Sequence, residues 1–229
     1  MSKKIAAGAD AIVLDVKFGR GAFMAKADDA RRLAETMRSI GARAGRKVSA
    51  LLTNMDEPLA DAAGDALELD QALSILEGRG GSAPLRTVAI EVAGAMLRAS
   101  RSADVHDPEG QAAAALADGR ALAKFRELAA SQGGRLEAFD RSWPPGSEIK
   151  AAAPGRIGRV DARMVGEAVA EAKAGLEGPA AERCGVRLLH RGGDVVEKGQ
   201  TVMLAWLPRP DRRLADAISI DALRRAAAP

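Results

Sequence analysis

Several short stretches place chemically able side chains near one another. Lys3 and Lys4 stand side by side in MSKKIAAGA. A lysine ammonium is a compact charge with three rotatable donors. Without further context such a pair reads as solvated. Asp15 and Lys17 lie two apart in AIVLDVKFG. On a strand they share one face, where an ion pair is preferred over a catalytic role. Cys184 and His190 are an even number of residues apart, which puts them on one face if the strand is unbroken. A nucleophile pair would further need contact between them. His106 and His190 each lack a second histidine at ligand spacing, which argues against zinc. GRGA, residues 19–22, reads as a turn and not as a phosphate cradle.

The bulk composition narrows the classes. A chain of 229 residues, 47% hydrophobic, can build one large domain or two modest ones. Its 34 basic and 31 acidic residues leave a net charge of +3, too balanced to indicate nucleic acid. Aromatics are 3% and tyrosine is absent, so stacking platforms for single strands are lacking. A single cysteine excludes an internal disulfide and fits a reducing compartment. Asp10 and Asp15 interrupt the apolar opening, which therefore does not read as a secretory signal. No run approaches the roughly 20 apolar residues of a membrane helix. The expectation is a soluble, cytoplasmic protein with neither nucleic acid nor membrane as partner.

These residues must be held by recognisable elements. SKKIAAGA reads as the last turns of a helix stopped by Gly8. AIVLDV, bounded by Gly8 and Gly19, reads as a buried strand. KFGRGAFM is its exit, where open α/β sheets form crevices. DDARRLAETMRSIGARAG reads as an amphipathic helix with Leu33, Met37 and Ile40 in register and Gly41 and Gly45 at its end. KVSALLTN is a second strand, so strand, helix and strand predict a parallel pair with a right-handed crossover. Next come a helix with Leu67, Leu73 and Leu76 inward, another over LRTVAIEVAGAMLRAS, and a helical stretch from Asp107 to Gly134 carrying Leu116, Leu122, Phe125 and Leu128.

RSWPPGSEIKAAAPGRIG changes composition and marks a boundary. Beyond it, IGRVDARMVGEAVAEAKAG reads as strand then helix. GVRLLHRGGDVVEKGQTVMLAWL reads as two strands joined by a glycine turn, and LADAISIDALRRAAAP as a short helix. The fold class is therefore α/β. A partial mixed-sheet domain with flanking helices spans 1–145, and a small α+β domain spans 146–229.

Taken in order, the blocks SKK, AAG, VLDVK, GAFM, ALLTNMDEPL, GDALEL, FRELAASQGG, PGRIGRVD and GDVVEKGQ resemble the thymidine and pyrimidine-nucleoside phosphorylase family. The opening blocks are the specific ones; AKAGLEGPAAERCG departs from the family pattern. The resemblance implies a pentosyltransferase of pyrimidine metabolism and nucleoside salvage. Phosphate attacks the anomeric carbon of a pyrimidine nucleoside, and thymidine yields thymine and 2-deoxyribose 1-phosphate. It also implies small-molecule partners (nucleoside and phosphate), a homodimer in the family, and a hammerhead-like form for the C-terminal domain. In the family the SKK block lies mid-chain, after the segments that supply the first strands and the phosphate loop. This sequence is thus expected to correspond to the C-terminal portion, inactive by itself. The alternative is an inactive remnant that still binds a pyrimidine or a partner.

The resemblance assigns the catalytic, substrate-binding cation to Lys3, which meets the carbonyl edge of the departing base. Ser2 is structural and Lys4 solvated or paired with an acid. Phe23 matches an apolar position beside the base pocket; by itself it reads equally as a core residue. PLADAAGDALELDQ matches a segment that in bacterial members helps hold a monovalent cation such as potassium. The positions carried over are the carbonyls of Leu59 and Ala62 and the side chain of Gln71, where the family has a carboxylate. Oxygen donors suit a hard cation, but an amide brings no charge. The expectation is that this chain holds no ion and no other cofactor. GGDVVEKGQ reads as a hairpin turn, with Lys198 carrying no prosthetic group.

Overall fold

The computed structural model describes residues 1–100 and 105–221. In chain order the elements are α1 (Ser2–Ala6), β1 (Ala11–Phe18), α2 (Ala27–Arg43), β2 (Lys47–Asn54), β3 (Ala62–Ala63), α3 (Asp65–Leu76), α4 (Ala83–Ala99), α5 (Pro108–Ala117) and α6 (Arg120–Ser131). After a 3-10 turn at Leu136–Ala138 follow β4 (Ser147–Lys150), β5 (Gly155–Val160), α7 (Ala162–Lys173), α8 (Gly178–Glu182), β6 (Gly185–Leu188), β7 (Val195–Val196), β8 (Thr201–Trp206), α9 (Arg213–Asp216) and β9 (Ile218–Asp221). The class is mixed α/β, as the sequence predicts. Two compact units form, one from residues 1–54 and 73–140, the other from 55–72 and 141–229. The second unit thus starts slightly earlier than residue 146 and also takes in the segment 55–72.

The first unit is built on the predicted strand–helix–strand. β1 and β2 run parallel, with Asp15 opposite Leu51 and Lys17 opposite Thr53. Ile12, Leu14 and Val16 alternate along β1 into a core shared with Ala30 and Ala34 of α2. Of the three large side chains predicted inward, Met37 packs on this core, whereas Leu33 and Ile40 are exposed and Ala30 and Ala34 take the buried positions. Small residues win because they let α2 lie close on the sheet. Gly41 shows this most clearly, since a Cβ there would sit 2.1 Å from Val48 Cγ2. It is a close-approach residue within the helix, and the stop lies beyond it at Gly45, with φ +69°. α4 also packs on β1 and β2. The stretch from Asp107 to Gly134 is two helices, broken at Asp118 and Gly119. Neither contains a buried residue. Phe23, Met96 and Leu128 are exposed as well.

The second unit holds two antiparallel sheets, ordered β3-β6-β8-β4 and β7-β5-β9. Ile157, Val160, Val165, Ala168, Val186, Met203 and Leu214 are buried in its core. Asp161 caps α7, accepting from the backbone N–H groups of Arg163 and Met164 at 3.0 and 3.2 Å. Three expectations change here. β6 and β8 pair as foreseen, but the turn between them contains β7, which pairs with β5. The predicted tail helix shrinks to α9, and Ile218–Asp221 becomes a strand on β5; residues 222–229 of that prediction lie outside the described residues. Finally, β3 is too short to leave a periodic signal, yet it pairs with β6. The WPPG stretch is anchored: Trp206 Nε1 donates to the Pro144 carbonyl at 2.7 Å, and Arg183 lies 4.3 Å over the Trp143 ring.

Candidate functional site

The carboxyl ends of β1 and β2 come together in the first unit, the place where open α/β sheets form crevices. The loop leaving β1 folds back on itself: Gly19 N–H donates to the Met24 carbonyl at 2.9 Å, and Phe18 and Met24 form a parallel bridge. Just inside, Lys17 Nζ lies 2.7 Å from Asp15 Oδ2 and donates to Thr53 Oγ1 at 2.9 Å. Thr53 Oγ1 in turn donates to Asp15 Oδ1 at 2.5 Å. Alternation on β1 brings the lysine and aspartate together, and the parallel register adds the buried threonine. The closed triangle satisfies the lysine's charge and both carboxylate oxygens, as a structural ion pair does. Thr53 is the member that spacing along one strand could not identify.

Lys3 sits on α1, exposed and without a carboxylate partner among the described residues. An exposed ammonium with no internal partner remains available to a ligand. Ser2 and Lys4 are exposed beside it. Phe23, on the loop leaving β1, is fully exposed, so the reading of it as a core phenylalanine falls. No hydrogen bond or cation–π contact joins Lys3 to Phe23 among the described residues. A groove between β2 and α4 is lined by Val48, Ala50, Leu51, Ala95 and Arg98. The only charged head there from α4, Arg98, is already paired with Glu109.

The segment carrying Leu59, Ala62 and Gln71 belongs to the second unit, whereas Lys3 and Phe23 belong to the first. Within it, Arg191 Nη2 donates to the carbonyls of Pro58, Leu59 and Ala60 at 2.6, 2.9 and 3.0 Å. Gln71 Oε1 accepts from the backbone N–H of Asp61 at 2.7 Å. Ala62 is buried on β3. Two of the three oxygen donors carried over for a cation therefore have donors from this chain on them. Sequence reading gave no sign of Arg191, because nothing in RGGD says that its side chain reaches a loop some 130 residues earlier. It also missed Asp70, which accepts from Arg141 Nε at 2.6 Å and Arg187 Nη2 at 3.1 Å.

The remaining candidates do not assemble. Cys184 is buried and its thiol donates to the Ala180 carbonyl at 3.3 Å. Burial pushes that thiol above its ordinary value, opposite to what a nucleophile needs. His190 meets Gln200 at 3.0 Å, not the cysteine. His106 is exposed. No group of three or more His, Cys, Asp or Glu suited to a metal occurs among the described residues. None of the described helices is long and apolar enough to cross a membrane.

Residues 1–122 match the model of the glycosyl transferase family, a/b domain. The chain is 41% identical, over 93% of its length, to thymidine phosphorylase of Mycobacterium tuberculosis, covering 49% of that protein. It is 35% identical, over 97% of its length, to pyrimidine-nucleoside phosphorylase of Staphylococcus haemolyticus and covers 54% of it. The Bacillus subtilis pyrimidine-nucleoside phosphorylase is 34% identical over 99% of the chain, again with 54% covered. The chain thus spans about half the length of these curated relatives. With the parallel β1–α2–β2 unit inside the matched region and similarity running on through the second unit, the chain belongs to the glycosyl transferase family defined by this a/b domain, the family of the thymidine and pyrimidine-nucleoside phosphorylases.

Proposed function

We propose that residues 1–229 carry the base-side portion of a pyrimidine-nucleoside phosphorylase acting on thymidine. The observation that carries the reading is Lys3, an exposed and unpaired ammonium within the SKK block. In the reaction an oxygen of phosphate attacks C1′ of the nucleoside. The C1′–N bond breaks, its electron pair leaves with the base, and the products are pentose 1-phosphate and the free pyrimidine. Negative charge then grows on the carbonyl edge of the leaving base. A fixed ammonium there stabilises the transition state more than the ground state. Lys3 fills this role in the proposal, and Phe23 supplies an apolar wall for the base. The reading assigns no phosphate-binding donors within residues 1–229, so phosphorolysis by this chain alone should lie below detection.

Two measurements test it. Thymine is quantified by chromatography after incubating the purified chain with thymidine and phosphate; robust release would overturn the inactive-alone expectation. The chain is then fused behind the N-terminal half of the M. tuberculosis relative. Thymine release is expected, falling by about a hundredfold or more in the Lys3→Met version. Equal rates with and without Lys3 would remove it from the reaction. A second reading is an inactive remnant that holds a pyrimidine or a partner chain, favoured by the full exposure of Phe23. A fusion that binds thymine calorimetrically yet releases none from thymidine would support that reading over the first.

A further inference from the structure

Three consecutive carbonyls aimed at one point are unusual in a folded chain, because their negative ends repel and neither helix nor sheet presents them so. Rings of backbone carbonyls of this kind are what proteins use to hold small cations. The loop at 57–61 has such a set, and what sits on it is a side chain. Arg191 Nη2 lies within 3.0 Å of the carbonyls of Pro58, Leu59 and Ala60, and Nε lies 2.5 Å from Asp61 Oδ1. Glu57 Oε2 stands 3.9 Å from Nη1. The guanidinium is permanently charged and has five donors in a fixed plane, so it can meet several acceptors at once.

The surroundings are built to keep it there. The Arg191 backbone N–H donates to Asp194 Oδ2 at 2.9 Å, and the Asp194 N–H returns to the Arg191 carbonyl at 3.1 Å. This fixes where the side chain starts. Gly192 follows because a Cβ there would fall 2.3 Å from Glu57 Oε1. That same oxygen accepts from the Val160 N–H at 3.0 Å, and the Asp56 carbonyl accepts from the Ala162 N–H at 3.1 Å. The loop is thereby tied to β5 and α7.

The charges agree with this arrangement. The family resemblance puts a carboxylate at position 71 to balance a monovalent ion. Here Gln71 is neutral and its amide oxygen serves the Asp61 N–H. The anions that remain on the loop, Asp61 and Glu57, both face the arginine. A metal ion on the Leu59 carbonyl would have to displace a guanidinium or sit beside a like charge.

We propose that the Arg191 guanidinium is the resident cation of the 57–61 loop, standing in place of a monovalent metal ion, so that this loop folds independently of potassium. The proposal concerns stability and ion binding, and its test involves no phosphorolysis. It can therefore fail while the phosphorylase reading stands, and the reverse.

The test compares thermal midpoints of the purified chain in potassium chloride and in choline chloride at equal ionic strength. The native chain should melt within about 1 °C in both, and equilibrium dialysis should retain no rubidium. A saturable rise in the midpoint with potassium, or retained rubidium, overturns the proposal. Arg191→Ala leaves the carbonyls without their cation, and its midpoint in choline should fall by roughly 5 °C or more. Potassium should restore part of that loss, giving the variant an ion dependence the native chain lacks. An unchanged midpoint for Arg191→Ala in both salts also overturns the proposal. If that variant does not fold, Arg191→Lys keeps a point charge on fewer donors. It should be less stable than the native chain and equally indifferent to potassium; a potassium-dependent Arg191→Lys counts against the idea.

Discussion

Arg213 meets Glu171 head on, its Nη1 and Nη2 donating to the two carboxylate oxygens at 2.7 and 2.8 Å. The contact joins the end of α7 to the start of α9. The same guanidinium also serves Asp211, through Nε at 3.0 Å and through Nη2. Both acids are held below their ordinary values of 4.5 and 3.8, chiefly by hydrogen bonds from Arg213, and the arginine is raised in return. For depressed carboxyl groups the stabilisation is fully present above the unfolded-state values and is lost as pH falls through the folded-state ones.

Replacing Arg213 with Leu should therefore lower the urea midpoint at neutral pH. The gap from the native chain should narrow as the pH drops below about 4, where the unfolded carboxyls protonate. Because Glu171 is exposed while Arg213 and Asp211 are half-buried, added salt should shrink the Glu171 part of the gap more than the Asp211 part. A gap that stays constant from pH 6 to pH 3 would mean that the arginine acts through packing of its stem.

Gly64 occupies φ +121° at the junction of β3 and α3, and a Cβ there would lie 2.3 Å from the Cys184 carbonyl oxygen and 2.7 Å from Gly185 Cα. Gly64→Ala should cost about 3 kcal/mol or more, from strain and backbone collision together. Gly45 also has positive φ but open space around it, so Gly45→Ala should cost only about 1–2 kcal/mol. Urea denaturation of the two variants side by side checks the difference. Equal costs would show that φ alone governs both sites.

Cys184 should be inert in the folded chain. Its thiol is buried and pushed up by that burial, with nearby Lys173 opposing the shift less strongly. Iodoacetamide at pH 8 should leave it unmodified until denaturant is added, after which one equivalent reacts. Since the folded state resists ionisation, stability should decline as pH rises past the ordinary thiol value of 9.0. Rapid alkylation of the native chain would contradict the burial.

Much of the first unit was legible beforehand. β-branched runs between glycines marked β1 and β2, and the helix between them required a parallel pair. Period-two alternation put Asp15 and Lys17 on one face, and they are paired. The face of α2 is legible only in part: Met37 packs inward as its spacing predicts, while Leu33 and Ile40 lose to Ala30, Ala34 and Gly41, because close approach to a sheet favours small residues. Family membership was legible too, since blocks such as SKK and VLDVK keep their order along the chain. Lys3 and Phe23 came from that resemblance, and the structure adds that both are exposed.

What the sequence determined by itself is local: which stretches extend, which coil, and which residues share one side of an element. These follow from dihedral preference and repeat distance, which act over a few residues. The tertiary structure alone decided which distant groups meet. β7 turns away from its hairpin to pair with β5, Thr53 closes the Asp15–Lys17 triangle, and Arg191 settles on carbonyls from a loop far earlier in the chain. Such meetings depend on how whole elements share one core, and a long polar side chain can reach many places until that core fixes its root.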